Sequence, residues 1–239
     1  MEQCLRLALL LYMAAGVSLC GAFDFVMSQA IDLSGDGVVD SIRLSASPEN
    51  GEFTLFVGAS RVTRAFEGGE SASGFVVVDI DKTDKYQEIA VHSPGPSDDD
   101  EYFLFWYDGA LIHEMAYFGR WPEFYGNGIV NVDGWMGFWK KREKYVLNAE
   151  TRKLEHVPQE LYYVGVEANV RKSFPIYRTR TKSDIVANLS PNSACLIMVC
   201  DTSPAQPMEN WYLIRSSSEL VGWAPDIAIY ENLDLPLAD

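Results

Sequence analysis

Histidine, cysteine and cationic side chains are scarce in this chain, and each scarcity removes a class of function. The 239 residues include 3 His, and none stands in an H-x-H or H-E-x-x-H context, which excludes the common imidazole metal centres. His92, His113 and His156 are scattered through strand-like segments, and spacing places none beside a nucleophile. Of the 4 Cys, two lie near the N-terminus, and the other two, Cys195 and Cys200 in "ACLIMVC", lack C-x-x-C spacing. On one regular strand these two face opposite sides about 16 Å apart, so two buried thiols are expected rather than a bridge. Lys and Arg number 19 against 34 Asp and Glu, giving a formal charge of −15. That balance argues against nucleic acid, whose binding rests on cationic patches. G-x-S-x-G, P-loop and dinucleotide fingerprints are also missing. The acidic run "SDDDEY" at 97–102 reads as a solvated hairpin tip rather than the acid pair of a glycosidase. No catalytic constellation emerges, and a non-enzymatic protein is expected.

Long apolar runs are lacking too. Only the start, "MEQCLRLALLLYMAAGVSLCGA", has one, and its stretch from Leu7 to Val17 falls short of the ~20 residues that span a bilayer. One Arg before it and small residues after it give residues 1–22 the shape of a signal peptide, with a mature chain from Phe23 exported to the periplasm or the extracellular space. Lipidation at Cys20 is the less favoured alternative, because the bulky Leu19 precedes it. No transmembrane span is expected.

Helical periodicity is nearly absent, whereas short strand-like runs bounded by Gly, Pro, Asn and Asp recur. "SIRLSAS", "EFTLFVGA", "GFVVVDI", "EIAVHS", "EYFLFWYDG" and "LIHEMAYFG" all read as strands, so the fold class is all-β. The pattern repeats: Asp32 and Asp79 stand 47 residues apart, and each opens an acidic loop followed by three strands. A weaker third copy starts near "GNGIVNVDGW" and runs through "KYVLNAETRKLEHV". A period of this size with three or four strands per unit is the pattern of a propeller blade, repeated here about three times in degenerate form.

The segment "AIDLSGDGVVDSIRL" resembles the loop of FG-GAP/VCBS repeats of the integrin-α type, D-x-[DN]-G-D-G-x-x-D followed by a hydrophobic strand. That resemblance implies calcium at the edge of a blade, held by Asp32, Ser34, Asp36, the Val38 carbonyl and Asp40. The chemistry agrees: calcium takes six to eight oxygens, and this loop offers one at nearly every second residue. The competing reading is an Asx-rich turn with solvated carboxylates. A weaker second set, Asp79, Asp81, Asp84 and Glu88, contains one inserted residue and has Lys85 in place of the turn glycine.

From Leu161 the sequence changes style, and "NVRKSFPIYRTRTKSDIVANLSPNSACLIMV" with "NWYLIRSSSELVGWAP" resembles a bacterial Src homology 3 domain. The resemblance implies a small β-barrel over 161–239, after a repeat domain over 23–160. With its own strands and with Trp211 and Trp223, that segment is expected to fold alone. The polar stretch "AETRKLEHVPQ" reads as strand end and linker.

Aromatic residues are plentiful. Most belong to the core, but Tyr117, Trp121, Phe124 and Tyr125 cluster in the loop-like "YFGRWPEFYGNG" and form a candidate ligand patch, with a loop packed on its own sheet as the alternative. These readings converge on an exported binding or envelope-associated module whose partner is a protein or a cell-wall polymer. The alternative is a cell-envelope hydrolase, or an accessory subunit of one, acting on wall polymer.

Overall fold

The computed structural model describes residues 24–95, 99–202 and 210–237. The expected signal segment, residues 1–22, lies outside them. Every sheet is antiparallel, and among the described residues no helix is long and apolar enough to cross a membrane.

Three four-stranded sheets follow one another along the chain, each with its strands in sequence order. The first comprises β1 (Ser28–Ile31), β2 (Asp40–Ala46), β3 (Glu52–Val57) and β4 (Ser60–Ala65). The second comprises β5 (Gly74–Val78), β6 (Glu88–Ser93), β7 (Glu101–Tyr107) and β8 (Ile112–Phe118). The third comprises β9 (Glu123–Phe124), β10 (Ile129–Trp135), β11 (Lys140–Leu147) and β12 (Leu154–Val157). Most of the "linker" 149–159 is therefore the β11–β12 turn and the edge strand of the third sheet.

The sheets stack, and composition explains the order. β2 and β3 alternate buried and more exposed positions, with Ile42, Leu44, Phe53, Leu55 and Val57 turned inward. All of β6 and most of β7 are buried. A sheet covered on one face needs apolar side chains at every second position, and one covered on both needs them nearly everywhere. One hydrophobic cluster joins the first sheet to the second through Leu55, Phe53, Phe75, Ile89 and Phe105. Another joins the second to the third through Ile80, Ala90, Leu104, Phe118 and Val130.

The described residues from Leu161 onward form one open seven-stranded sheet of β13 (Leu161–Val170), β14 (Phe174–Tyr177), β15 (Ile185–Leu189), β16 (Ala194–Asp201), β17 (Trp211–Ser216), β18 (Val221–Pro225) and β19 (Leu233–Asp234), in the order β15-β14-β18-β17-β16-β13-β19. A short helix, α1 (Asp226–Asn232), buries Ile229 against it. Cys195 and Cys200 are free and buried, as expected. Their expected opposite facing is corrected, because the register of β16 shifts between Ile197 and Val199 and both thiols enter the same core. Burial raises their pKa values to about 11 and about 12, so both stay protonated at neutral pH. The same core takes in Phe138 and Trp139 from the β10–β11 turn, so the boundary at 160 separates sheets but not cores.

Candidate functional site

The β1–β2 and β5–β6 connections, the two acidic loops, lie side by side. Gln87 N–H donates to the Leu33 carbonyl at 2.9 Å, and Gly128 N–H donates to the Ile80 carbonyl at 2.9 Å, which ties in the third unit. Leu33 and Ile80 stand 47 residues apart in the chain, and each is fully buried. The repeat extends to single hydrogen bonds. Leu33 N–H donates to Asp40 Oδ2 at 2.9 Å, and Ile80 N–H donates to Glu88 Oε2 at 2.9 Å. The separations of 7 and 8 residues place the inserted residue inside the second loop. Gly35 is required where the loops meet: its φ is +63°, and a Cβ there would overlap the Lys85 carbonyl.

In the first loop each carboxylate is turned to its own backbone. Asp32 accepts from Gly35 N–H at 2.8 Å and Asp36 N–H at 3.3 Å on one oxygen, and from Gly37 N–H at 2.8 Å on the other. These bonds, that from Gly37 first, lower its pKa against a smaller opposing effect of burial. Asp36 Oδ1 accepts from Val38 N–H at 2.8 Å, and Asp40 uses only Oδ2 for Leu33. Ser34 Oγ is buried, with no hydrogen-bond partner among the described residues. The donors are therefore hard oxygens of the kind calcium takes, and among the described residues Asp36 Oδ2 and Asp40 Oδ1 accept no backbone bond. They do not converge as placed: among the described residues no three His, Cys, Asp or Glu side chains gather where a metal ion would sit.

The second set is arranged differently. Arg152, at the tip of the β11–β12 hairpin, donates to Asp84 Oδ2 at 2.7 Å and to Glu88 Oε1 at 2.6 Å. Its guanidinium also lies 4.4 Å from the centre of the Tyr86 ring and 5.3 Å from that of Trp106. Arg152 has φ +52°, an uncommon conformation for a non-glycine residue, and it is buried, as is Glu88. Burial raises the Glu88 carboxyl to about 7, against the pull of Ile80 N–H and Arg152. Asp81 accepts from Thr83 N–H at 3.0 Å and Thr83 Oγ1 at 2.7 Å, and burial raises the pKa of Asp79, one buried oxygen of which has no partner among the described residues. A guanidinium thus stands where sequence reasoning looked for a metal. Arg152 was missed because it comes from another sheet, 64 residues from Glu88.

The four aromatic residues do not form one patch. Tyr117 packs on the cluster between the first and second sheets and donates its hydroxyl to Glu101. Trp121 and Phe124 pack on the cluster between the second and third sheets, with ring centres 5.6 Å apart. Tyr125 alone is exposed, with its hydroxyl donating to Glu123 at 2.8 Å and accepting from Asn131 Nδ2 at 3.3 Å.

The expected solvated tip at 97–102 is also corrected at its end. Glu101 is buried at the start of β7 and accepts from Glu67 N–H at 3.1 Å and Gly68 N–H at 3.0 Å. His113 is a paired strand residue, 2.8 Å from Asp108 Oδ2 and stacked on Trp106. His92 has neighbours that spacing did not reveal. Ser73 Oγ lies 2.5 Å from its Nδ1, Asp100 Oδ2 lies 3.4 Å from its Nε2, and Phe25 and Tyr102 stack on its ring. Burial lowers the His92 pKa, against the opposing effect of Asp100, so the neutral imidazole is favoured. Set against family models, curated proteins and solved structures, the chain matches none of them.

Proposed function

We propose that this chain is an exported, non-catalytic binding or envelope-associated module, built from blade-like FG-GAP/VCBS-type units and a Src homology 3-like sheet, with calcium held at the first loop. The observation that carries the repeat reading is the recurring carboxylate-to-N–H bond, Asp40 to Leu33 and Glu88 to Ile80, in successive sheets. Calcium at Asp32, Ser34, Asp36, the Val38 carbonyl and Asp40 is supported by Gly35 and Gly37, whose φ values of +63° and +84° allow the tight turn, and by the unpartnered Ser34 hydroxyl. Arg152 takes over the charge compensation of the second set, so one metal per chain is the expectation.

The test is calorimetry and thermal melting of chelator-treated mature protein. With a dissociation constant of about 0.1 to 1 mM, 1 mM calcium adds roughly 0.4 to 1.4 kcal/mol. That amounts to a rise of about 1 to 6 °C, which Asp36→Ala removes and Asp84→Ala leaves in place. A melting temperature indifferent to calcium and to Asp36→Ala reduces the loop to an acidic turn.

A second reading, a hydrolase acting on envelope polymer, is favoured by the Ser73, His92 and Asp100 arrangement. An exposed serine hydroxyl hydrogen-bonded to a buried neutral imidazole is the start of acyl transfer. The hydroxyl proton passes to Nδ1 as Oγ adds to an acyl carbon, and it returns to the leaving group as that bond breaks. A fluorophosphonate probe should then mark Ser73 in the native chain and not in His92→Ala. An unlabelled Ser73 removes this reading.

A further inference from the structure

We propose that the solvent-facing side of the third sheet binds a linear anionic polysaccharide. The proposal rests on the binding-module reading and names its ligand class.

The chain is strongly acidic, yet four of its 19 Lys and Arg residues fall within five positions, Lys140 to Lys144. Strand alternation puts Lys140, Arg142 and Lys144 on one face of β11, opposite Trp135, Asp133 and Asn131 of β10. With Tyr162 and Tyr163, the three cations, Asn131 and Asp133 line an open groove of about 570 Å³. Arg142 is held by Asp133 at 2.7 and 2.9 Å and by Glu123 at 3.0 Å. Lys140 and Lys144 make no ion pair among the described residues. Their two uncommitted charges stand about 13 Å apart along the strand, which matches a ligand bearing repeated anions rather than a single one.

Aromatic platforms bound the strip. Tyr163 is 79% exposed, an unusual placement for a large ring in a folded sheet. It is positioned by the fold: β13 shifts register between Tyr163 and Val166, Gly165 has φ +67°, and a Cβ at 165 would stand 2.6 Å from the tyrosine ring. The ring therefore rests on bare backbone and offers its other face to solvent. On the β9 side, Tyr125 is 50% exposed and tied through its hydroxyl to Asn131 of the groove. Sugar rings present C–H faces that pack on tyrosine, while their carboxylates or sulfates meet Lys ammonium groups. An acidic peptide would use the lysines and leave the ring faces idle, which makes Tyr163 the discriminating residue.

The probe is hyaluronate, a linear carboxylated polysaccharide, titrated into the mature chain by calorimetry at low salt, with neutral dextran and polyglutamate in parallel. Hyaluronate should bind, dextran should not, and polyglutamate should bind at least tenfold more weakly. Affinity should fall at least tenfold in Lys140→Ala/Lys144→Ala and at least fivefold in Tyr163→Ala, and it should weaken in high salt as the exposed charges are screened. Melting curves of the variants should overlay the wild type, since all three side chains are at the surface. Equal binding of polyglutamate with an indifferent Tyr163→Ala overturns the proposal in favour of an acidic peptide. Absence of hyaluronate binding overturns it as well. In that event, retention of wild type and of Lys140→Ala/Lys144→Ala alike on isolated envelope polymer leaves the binding-module reading standing, and loss of both defeats that reading too.

Discussion

Arg152 and Glu88 carry the sharpest residue-scale consequence. A fully buried carboxylate beside a guanidinium is tolerated because Ile80 N–H and Arg152 satisfy its oxygens, yet burial still raises its pKa to about 7. The folded value lies above that of the unfolded chain. The group's contribution to stability is therefore complete below pH ~4.5 and is lost as pH rises through about 7. His92, whose pKa is lowered, acts in the opposite sense: its contribution is complete above about 6.5 and is lost as pH falls through its folded value. Comparing variants isolates Glu88. Glu88→Gln should flatten the decline in urea midpoint between pH 5 and 8 relative to wild type. Arg152→Ala should cost about 3 to 5 kcal/mol at pH 8, where it strands a buried charge, and clearly less at pH 5. Equal losses at both pH values would mean that Arg152 acts through packing on Tyr86 and Trp106 alone.

At the scale of elements, the contrast between strands is physical. "SIRLSA" and "EFTLFV" alternate because one face of the first sheet meets solvent, and Arg43 stacks on Phe56 there at 4.0 Å. "EIAVHS" and "EYFLFWY" do not alternate because the second sheet is covered on both sides, and such strands read as near-continuous apolar runs. Existence and order of these elements were legible from strand signals and from the 47-residue period. Register shifts were not: the shift in β16 that turns Cys200 to the same side as Cys195 depends on pairing with β13 and β17, and no local residue type announces it. α1 was also missed, since seven residues carry too little periodicity to stand out.

For the whole molecule, the three four-stranded sheets form an open stack that ends in polar faces. Ser41, Arg43 and Ser45 are exposed on the first sheet, and Lys140 and Arg142 on the third. Terminal units with a polar outer side are what an open array of stacked repeats needs. The seven-stranded sheet is not self-sufficient in the same way, because Phe138 and Trp139, each 2% exposed, come from the third sheet. Losing one buried aromatic costs about 3 to 5 kcal/mol, a large share of the roughly 5 to 15 kcal/mol that holds a domain folded. An isolated 161–239 fragment should therefore melt without a cooperative transition. Phe138→Ala in the full chain should lower stability by about 3 kcal/mol or more in urea unfolding. A sharp thermal transition of the isolated fragment would show that β13 to β19 fold without the upstream turn.

Composition and pattern by themselves determined the all-β class, the repeat of an acidic loop with its strands, and the buried thiols. Each of these follows from residue type and short-range periodicity, which act within a few positions of the chain. Tertiary structure alone decided that Arg152 neutralises Asp84 and Glu88, that Ser73 and Asp100 meet His92, and that Tyr117, Trp121, Phe124 and Tyr125 part into two packed interfaces and one exposed ring. These outcomes depend on which sheet packs on which and which turn reaches across. Such contacts are selected by the burial of whole faces, so single positions in the sequence do not record them.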